Sequence, residues 1–591
     1  MDYRRDPLQL VPVLAFLLPV NIYVIGSWVG AGIQWPVVRY QQIYGGESLL
    51  SFTTDLAYVL SGIITGLGAS AILLWFLGVC LLSFAFVLII LAYGSGRPAF
   101  FRPAGVLSIL SGLLFAASDM IQYGTGFHGP AGICIPVGIP FILASGVWGY
   151  RRAGVVALES ALGDAGQKKK KTQSTAKTGL VSWINGKTDL VILIIFALIV
   201  RIIAFFAGNL PNLPLNVIEG AVQLYYWYAT SPLLYGHIPY ISYSVPYPQL
   251  FYIPIMIPLV LTAGSLNYGA YLLAFASLML IFDTATIVLV YLIAARLFGR
   301  KNAFICGLLA ATAFGAAFAV PVNFDSFPAF LLVLSLWLME CGRESAAWVA
   351  ATVGTLAKWF PGVCFPFFLV HHVRSGKDRR IIIRSLIFSG AIAVLVLLPF
   401  LILDPAHFIG TFLVHIDRTP QVNTLIYFLD AICRPLIHRE PFMVLSFFLI
   451  AAAEGALVLW YYRARDQGYV TLLQVIFLGL LFFVLFNKGF SSSYLIWFTP
   501  FLALFLWQSP FRVALFYLTQ LIIYLETPVL FGIVYAPFNP GFSPGYEMIE
   551  HGLPSVSFLF YFAKFVQFFT IVVLMIRDIR SRNKTLAGDP L

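Results

Sequence analysis

The chain has 591 residues, 60% of them hydrophobic and only 10% charged, with a mean hydropathy of +0.90. A soluble domain carries about a quarter charged residues, so this composition excludes a soluble globular protein. The formal charge of +11 does not point to nucleic acid, because the basic residues sit in short clusters between apolar runs. These clusters are Arg4–Arg5, Arg97/Arg102, Arg151–Arg152 with Lys168–Lys171, Arg296/Arg300–Lys301, Arg374–Arg380, Arg463/Arg465 and Arg577–Lys584. Such placement marks cytoplasmic loops of a multi-pass protein of the cell membrane, with both termini inside. The six cysteines form no CxxC or Cys/His ligand spacing, so no disulfide framework or zinc site is expected.

From the N-terminus, apolar stretches predict four spans, near 8–30, 70–93, 104–121 and 134–150. The first follows a basic start and lacks a small-residue cleavage site, which reads as a retained helix. Loops 31–69 and 122–133 then face out. The first of these is long, aromatic and glycine-rich, and the function of this four-span module (1–157) is not readable from it. A Lys-rich stretch at 158–187 cannot bury enough apolar area to fold alone. It reads as a cytoplasmic linker, with binding to anionic membrane lipid as an alternative role.

The second module, 188–591, predicts spans near 188–207, 248–264, 267–295, 303–320, 326–341, 345–357, 360–373, 381–403, 443–462, 469–486, 494–508, 511–530 and 556–576. The expected fold is therefore an all-α integral membrane protein, a four-helix module followed by a multi-pass bundle of about 12–13 helices. From Arg300 onward every basic cluster falls inside and loops 404–442 and 531–555 fall outside. Upstream, 248–295 must cross an odd number of times yet looks like two helices, so either 248–264 is re-entrant or a boundary is misplaced.

Unusual polar residues collect on the expected outer face. The loop 209–250 carries Glu219 and many aromatics, among them Tyr240 and Tyr247. Asn323–Asp325, Lys358, His415 with Arg418, and Asn487–Lys488 open or close the neighbouring spans. Ionisable groups at membrane depth are costly and often functional. Each also has a plainer reading. Glu219 and Asp325 could stabilise helix N-termini, Lys358 and Lys488 could snorkel to the interface, His415 and Arg418 could form a solvated loop pair, and the tyrosines could belong to an aromatic belt.

Several short patterns are set aside. GTGFHG at 124–129 joins two spans without a βαβ unit, and NGKT at 185–188 lacks the P-loop glycine. GFSPG at 541–545 lies in a Pro-rich loop with no strand-to-helix elbow. No DxD occurs on the outer side, so no cofactor is expected, although single carboxylates could join a divalent ion.

Five segments, in order, resemble the GT-C superfamily of membrane glycosyltransferases, nearest to mannosyltransferase-like enzymes. After Arg201, the run LLYGHIPYISYSVPYPQLF is similar to the family's G-x-x-PY…YPPL. FDSFPAFLLVLSLWL resembles its D-x-x-P helix start and GTLAKWFPGVCFPFFLV its K-x-x-P pair. HIDRTPQVNTL resembles H-x-x-R-x-x-x-x-S-L with a Thr for the Ser, Thr424, one residue further on, and FNKGFSSSYLIW resembles N-K-x-x-S-x-x-Y-x-x-W. The resemblance covers about 190–510. It departs in the first outer loop, where the family has an Asp and this chain has only Glu219.

The resemblance implies inverting transfer of a sugar, a hexose such as mannose, from a polyprenyl- or dolichyl-phosphate carrier to a glycan, lipid or protein acceptor outside the cytoplasm. That chemistry needs a carboxylate to orient or deprotonate the acceptor hydroxyl and cations to stabilise the phosphate leaving group. Glu219 is the first candidate base and Asp325 the second. Lys358, Arg418, His415 and Lys488 are the candidate phosphate ligands, and Tyr240 and Tyr247 could stack on a sugar. A transporter or flippase of lipid-linked glycans could use the same polar cavity without chemistry, and a scaffold could retain the fold alone.

Overall fold

The computed structural model describes residues 18–26, 29–43, 46–95, 100–151, 178–208, 216–264, 266–437, 441–535 and 554–587. The start of the expected first span, most of the Lys-rich linker and the segments 209–215 and 536–553 lie outside the described residues. By contacts the chain divides into two compact units. One comprises Met1–Lys187, Leu210–Leu213 and Gln508–Tyr517; the other comprises Thr188–Asn209, Pro214–Trp507 and Leu518–Leu591.

The first unit is not the expected four-helix module. Its strands β1 (Asn21–Ile25), β2 (Gly30–Gln34), β3 (Val38–Ile43), β4 (Gly46–Ser51), β5 (His128–Gly129) and β6 (Gly132–Ile135) form one six-stranded antiparallel sheet in the order β4-β3-β2-β1-β6-β5. The strand β1 reads NIYVI, whose β-branched and aromatic residues favour a pleated strand over a helix. Hydropathy alone cannot make that distinction, so the expected span at 8–30 is strand over Asn21–Ile25, and the expected loop at 31–69 carries the strands up to Ser51 and helix from Phe52. In the β1–β2 register Tyr23 lies opposite Gly32, where a methyl group would come within 2.4 Å of the tyrosine ring. Gly32 therefore makes room for that ring.

Beside the sheet, α1 (Phe52–Leu60) leads into two helices long and apolar enough to cross a membrane, α2 (Gly66–Ser95) and α3 (Phe101–Tyr123). The expected fourth span begins as β6 and continues as a helix, α4, described over 139–151. Val20, Trp75, Val79, Phe115, Ile139 and Ile142 make the shared core. Asn21 ties the sheet to α3 by donating to Asp119 at 2.7 Å.

The second unit is helical, apart from turns and loops, among its described residues. It begins with α5 (Thr178–Gly208), the loop helix α6 (Asn216–Tyr235) and the short α7 (Tyr252–Leu261). Then come α8 (Tyr268–Phe298), α9 (Arg300–Ala311) and α10 (Phe314–Ala319), with α9 and the following Phe314–Val322 stretch forming one span bent by 45°. Of the two helices expected over 248–295, only α8, with 31 residues, is long enough to cross. The stretch Gln249–Leu261 is a shorter apolar helix ending in a turn at Ala263 and Gly264, both at positive φ.

The bend between α9 and α10 leaves backbone carbonyls without helical partners. The buried Arg201 of α5 supplies them: it donates to the Ala310 carbonyl at 3.1 Å and to the Ala311 carbonyl, while its Nε pairs with Asp283 of α8 at 2.7 Å. One guanidinium thus joins three helices at the break.

The remainder comprises α11 (Ser326–Glu340), α12 (Glu344–Ala357), α13 (Cys364–Arg374), α14 (Arg379–Leu403), α15 (Pro405–Asp417), α16 (Leu425–Ile437), α17 (Pro441–Arg463), α18 (Tyr469–Leu485), α19 (Leu495–Phe505), α20 (Pro510–Tyr524), which belongs to this unit from Leu518, and α21 (Pro554–Ala587). In all, six described helices, or seven with the bent pair, are long and apolar enough to cross a membrane. Helices α11, α12, α13 and α19 are shorter, with 15, 14, 11 and 11 residues. At about 1.5 Å per residue they reach roughly 16–22 Å, less than the ~30 Å of bilayer hydrocarbon. Each of α11–α13 has one end near a basic or polar turn (Arg343, Arg374) and the other at Asn323–Asp325 or Lys358–Phe360. The candidate residues therefore share one end of this bundle.

Candidate functional site

Asp325 lies between the turn Val320–Val322 and α11, and Lys358 lies where α12 stops. The backbone leaves the helix at Lys358 (φ −157°, ψ 139°), and Pro361 opens the next turn. Proline suits such a position because its missing N–H would be unpaired there anyway. The two ends bring the Lys358 ammonium to 2.6 Å from Asp325 Oδ1. The same oxygen accepts the indole N–H of Trp497 at 2.7 Å. Asp325 is fully buried, and its second oxygen, Oδ2, has no partner among the described residues.

Four aromatic rings surround the ammonium. Its distance to the ring centre is 4.8 Å for Phe324, 5.2 Å for Trp497, 5.4 Å for Tyr494 and 5.7 Å for Tyr247. Cation–π attraction favours a charged group there and offsets part of the cost of excluding water from it. Trp497 is itself sandwiched, with Phe360 and Tyr494 stacked on it at 3.9 Å each. Its faces are therefore taken, and it acts as a wall that also orients Asp325.

Tyr247 reaches this cage from the loop between α6 and α7, and Tyr240 holds that loop. Tyr240 is buried, adopts a positive φ of 64°, and donates its hydroxyl to the carbonyls of Tyr247 at 2.8 Å and Pro248 at 3.1 Å. A bulky residue in the left-handed region is strained, so its packing and hydrogen bonds hold it there. Of the two tyrosines expected to meet a sugar, Tyr247 borders the cage, whereas Tyr240 shapes the loop from behind.

Arg418 follows α15 and is exposed, within electrostatic reach of Lys358, Tyr247 and Tyr494. Its guanidinium packs over Gly489: a methyl on that glycine would lie 2.8 Å from Arg418 Cζ. His415 lies one turn earlier, and its Nε2–H donates to the Pro246 carbonyl at 3.0 Å. Burial lowers the affinity of this imidazole for a proton, and the nearby charges of Arg418, Lys358 and Lys488 add to that effect against the pull of the Pro246 carbonyl. His415 thus fastens α15 to the tyrosine loop in its neutral form.

Lys488 is buried and donates to the Ile416 carbonyl, with its ammonium 5.2 Å from the ring centre of Phe447. It ties the 487–490 turn to the end of α15. Glu219 falls in the first turn of α6, and its side chain lies outside the described residues.

Behind the cationic loops is a network that no local pattern announces. Asn423 donates to Glu526 Oε1 at 2.6 Å and to the Phe490 carbonyl at 3.3 Å. Glu526 Oε2 pairs with Lys564 of α21 at 2.7 Å, both side chains being buried, and the Lys564 ammonium stands 3.7 Å from the Phe490 ring centre. Gln421 completes the link by accepting from the Phe490 N–H at 3.0 Å and donating its own N–H to the Lys488 carbonyl at 2.9 Å. The turns bearing Arg418 and Lys488 are thereby locked to each other and to the C-terminal helix. No group of three or more metal-ligating side chains occurs among the described residues. No family model, characterised protein or solved structure matches this chain.

Proposed function

We propose that the second unit is a glycosyltransferase that takes a hexose from a polyprenyl- or dolichyl-phosphate carrier and delivers it to an acceptor at the membrane face opposite the basic clusters. One observation carries this reading. Five segments separated along the chain, those of Tyr247, Asp325, Lys358, Arg418 and Tyr494–Trp497, converge on one aromatic-walled cationic site. They are the same segments whose patterns resemble the GT-C enzymes.

In this mechanism the acceptor oxygen attacks the anomeric carbon as the bond to the carrier phosphate breaks, inverting the configuration. The departing phosphate keeps the bonding electrons. Lys358 and Arg418 stabilise that charge, and the water-poor rings around Lys358 strengthen the attraction. Asp325 fixes the ammonium and keeps it charged while retaining one unpartnered oxygen. The acceptor proton goes to a carboxylate, Glu219 or Asp325.

A transfer assay in proteoliposomes with a panel of polyprenyl-phosphate sugars tests the proposal, with Glu219→Gln and Asp325→Asn as the paired variants. Turnover lost in one folded variant identifies the base. Absence of turnover with every donor, combined with movement of labelled lipid-sugar across the bilayer, replaces the enzyme with a transporter.

A further inference from the structure

Glu454 lies inside α17, a 23-residue helix whose most apolar 18 residues have a mean hydropathy of 2.3 and are only 11% buried within the protein. Most of that helix is therefore turned to lipid. Both carboxyl oxygens of Glu454 are nevertheless shielded, and neither has a hydrogen-bond partner among the described residues. The group facing it is Gly479 of α18. A methyl there would lie 2.9 Å from Glu454 Oε2, 2.8 Å from Val363 Cγ1 and 3.2 Å from the Phe367 ring. The absent side chain of Gly479 forms a slot that the carboxyl fills, with Val363 and Phe367 as its other walls.

Among the described residues nothing around this slot compensates a negative charge. The titratable groups on the elements packed about it have other partners. His371 meets the Tyr461 hydroxyl at 3.0 Å, His372 accepts from Trp348 at 3.1 Å, Asp430 accepts the Phe442 N–H at 2.8 Å, and Tyr469 donates to the Leu336 carbonyl. Arg374 stacks on Tyr462 at the far end of α13, Arg463 ends α17, and Cys364 is buried without a charge to offer. A lone carboxylate is strongly disfavoured in such surroundings, whereas the neutral acid is tolerated.

We propose that Glu454 is an intramembrane proton-binding site: the acid form packs into the Gly479 slot, and release of its proton expels the carboxylate and parts α17 from α18. The movement has a route to the other end of the bundle. Phe447 is two turns earlier on α17, at the i, i+7 spacing that shares a helix face, and its ring lies beneath Lys488. Withdrawal of α17 removes that ring from the ammonium.

The test uses the full chain in proteoliposomes and does not depend on transfer activity. Dicyclohexylcarbodiimide, which partitions into lipid, adds the carboxyl O–H across one of its C=N bonds: oxygen bonds to carbon and the proton goes to nitrogen. Peptide mapping should find the adduct at Glu454, absent in Glu454→Gln, whereas a water-soluble carbodiimide should leave Glu454 unmodified. Melting temperatures of wild type and Glu454→Gln should coincide near pH 4, where the acid is protonated in folded and unfolded chain alike, and diverge as pH rises to 8, with only the wild type falling, because the unfolded chain ionises from about pH 4.3. Glu454→Met, which fills the slot without a titratable group, should follow the same flat profile and serves if the glutamine variant does not fold. Labelling by the water-soluble reagent, or an equal pH response in wild type and both variants, overturns the proposal.

Discussion

Lys358 Nζ and Asp325 Oδ1 lie 2.6 Å apart, joining residues 33 positions apart at the ends of two helices, and Asp325 has no exposure to solvent. Removing one partner from such a pair leaves an uncompensated charge, at a cost of about 3–5 kcal/mol, whereas replacing both by apolar groups is often neutral. Lys358→Met and Asp325→Leu should each lower the melting temperature, and the double variant should recover it. Sugar transfer should be lost in all three. Thermal unfolding in detergent, followed beside the transfer assay, separates the two effects.

Gly489 supports Arg418 by having no side chain. In Gly489→Ala the added methyl must push the guanidinium away, and the flexible arginine can yield. Stability should change by less than about 1 kcal/mol, while transfer should fall roughly 10- to 100-fold because a displaced catalytic group loses alignment. A melting curve and a rate for the same preparation check this. A fall in rate matched by Arg418→Ala, with no further loss in the double variant, ties the effect to the guanidinium.

Asn423 connects the buried Glu526–Lys564 pair to the Phe490 carbonyl. Asn423→Leu breaks that link without removing either charge. It should destabilise by about 1–3 kcal/mol, the cost of leaving buried acceptors unpaired. Lys564→Met, which strands Glu526, should cost more, about 3–5 kcal/mol. The ordering of the two melting temperatures is the measurement, and a reversed order would show that the charges are not mutually compensated.

His415 binds a proton less readily in the folded protein than in the unfolded chain, because of burial first and of Arg418, Lys358 and Lys488 beside it. The unfolded state therefore takes up the proton first as pH falls. The stability due to neutral His415 is complete above the unfolded value, about 6.5, and is lost as pH falls from there towards the folded value. His415→Gln can still donate to the Pro246 carbonyl but cannot titrate. Between pH 7.5 and 5.5 its melting temperature should fall less than that of the wild type.

The legibility of this molecule in its sequence follows the range of the interactions involved. The helical bundle was readable because apolar runs and basic turns are local signals, and the site was readable as segments because each lies at a helix end. Their partners were not. Trp497 lies inside one of the quoted runs, yet its bond to Asp325 spans 172 residues, and Asn423 meets Glu526 across 103. The sheet was missed for another reason. Its first strand, Asn21–Ile25, is as apolar as a membrane helix, and the glycine that accommodates its tyrosine, Gly32, reads locally as loop. Whether 248–264 crosses or is re-entrant stays open in the sequence, because hydropathy marks apolarity without measuring helix length, and α7 is a shorter apolar helix.

The meeting of α11 and α12 encloses the Lys358 side chain, which is only 13% exposed, whereas Arg418 at the end of α15 is open to solvent. Counterions therefore cannot crowd around the Lys358 ammonium as they do around exposed charges. Added salt should weaken the attraction of an anion to the exposed Arg418 far more than its attraction to Lys358. Ionic strength then becomes a means of telling the rim of this site from its floor.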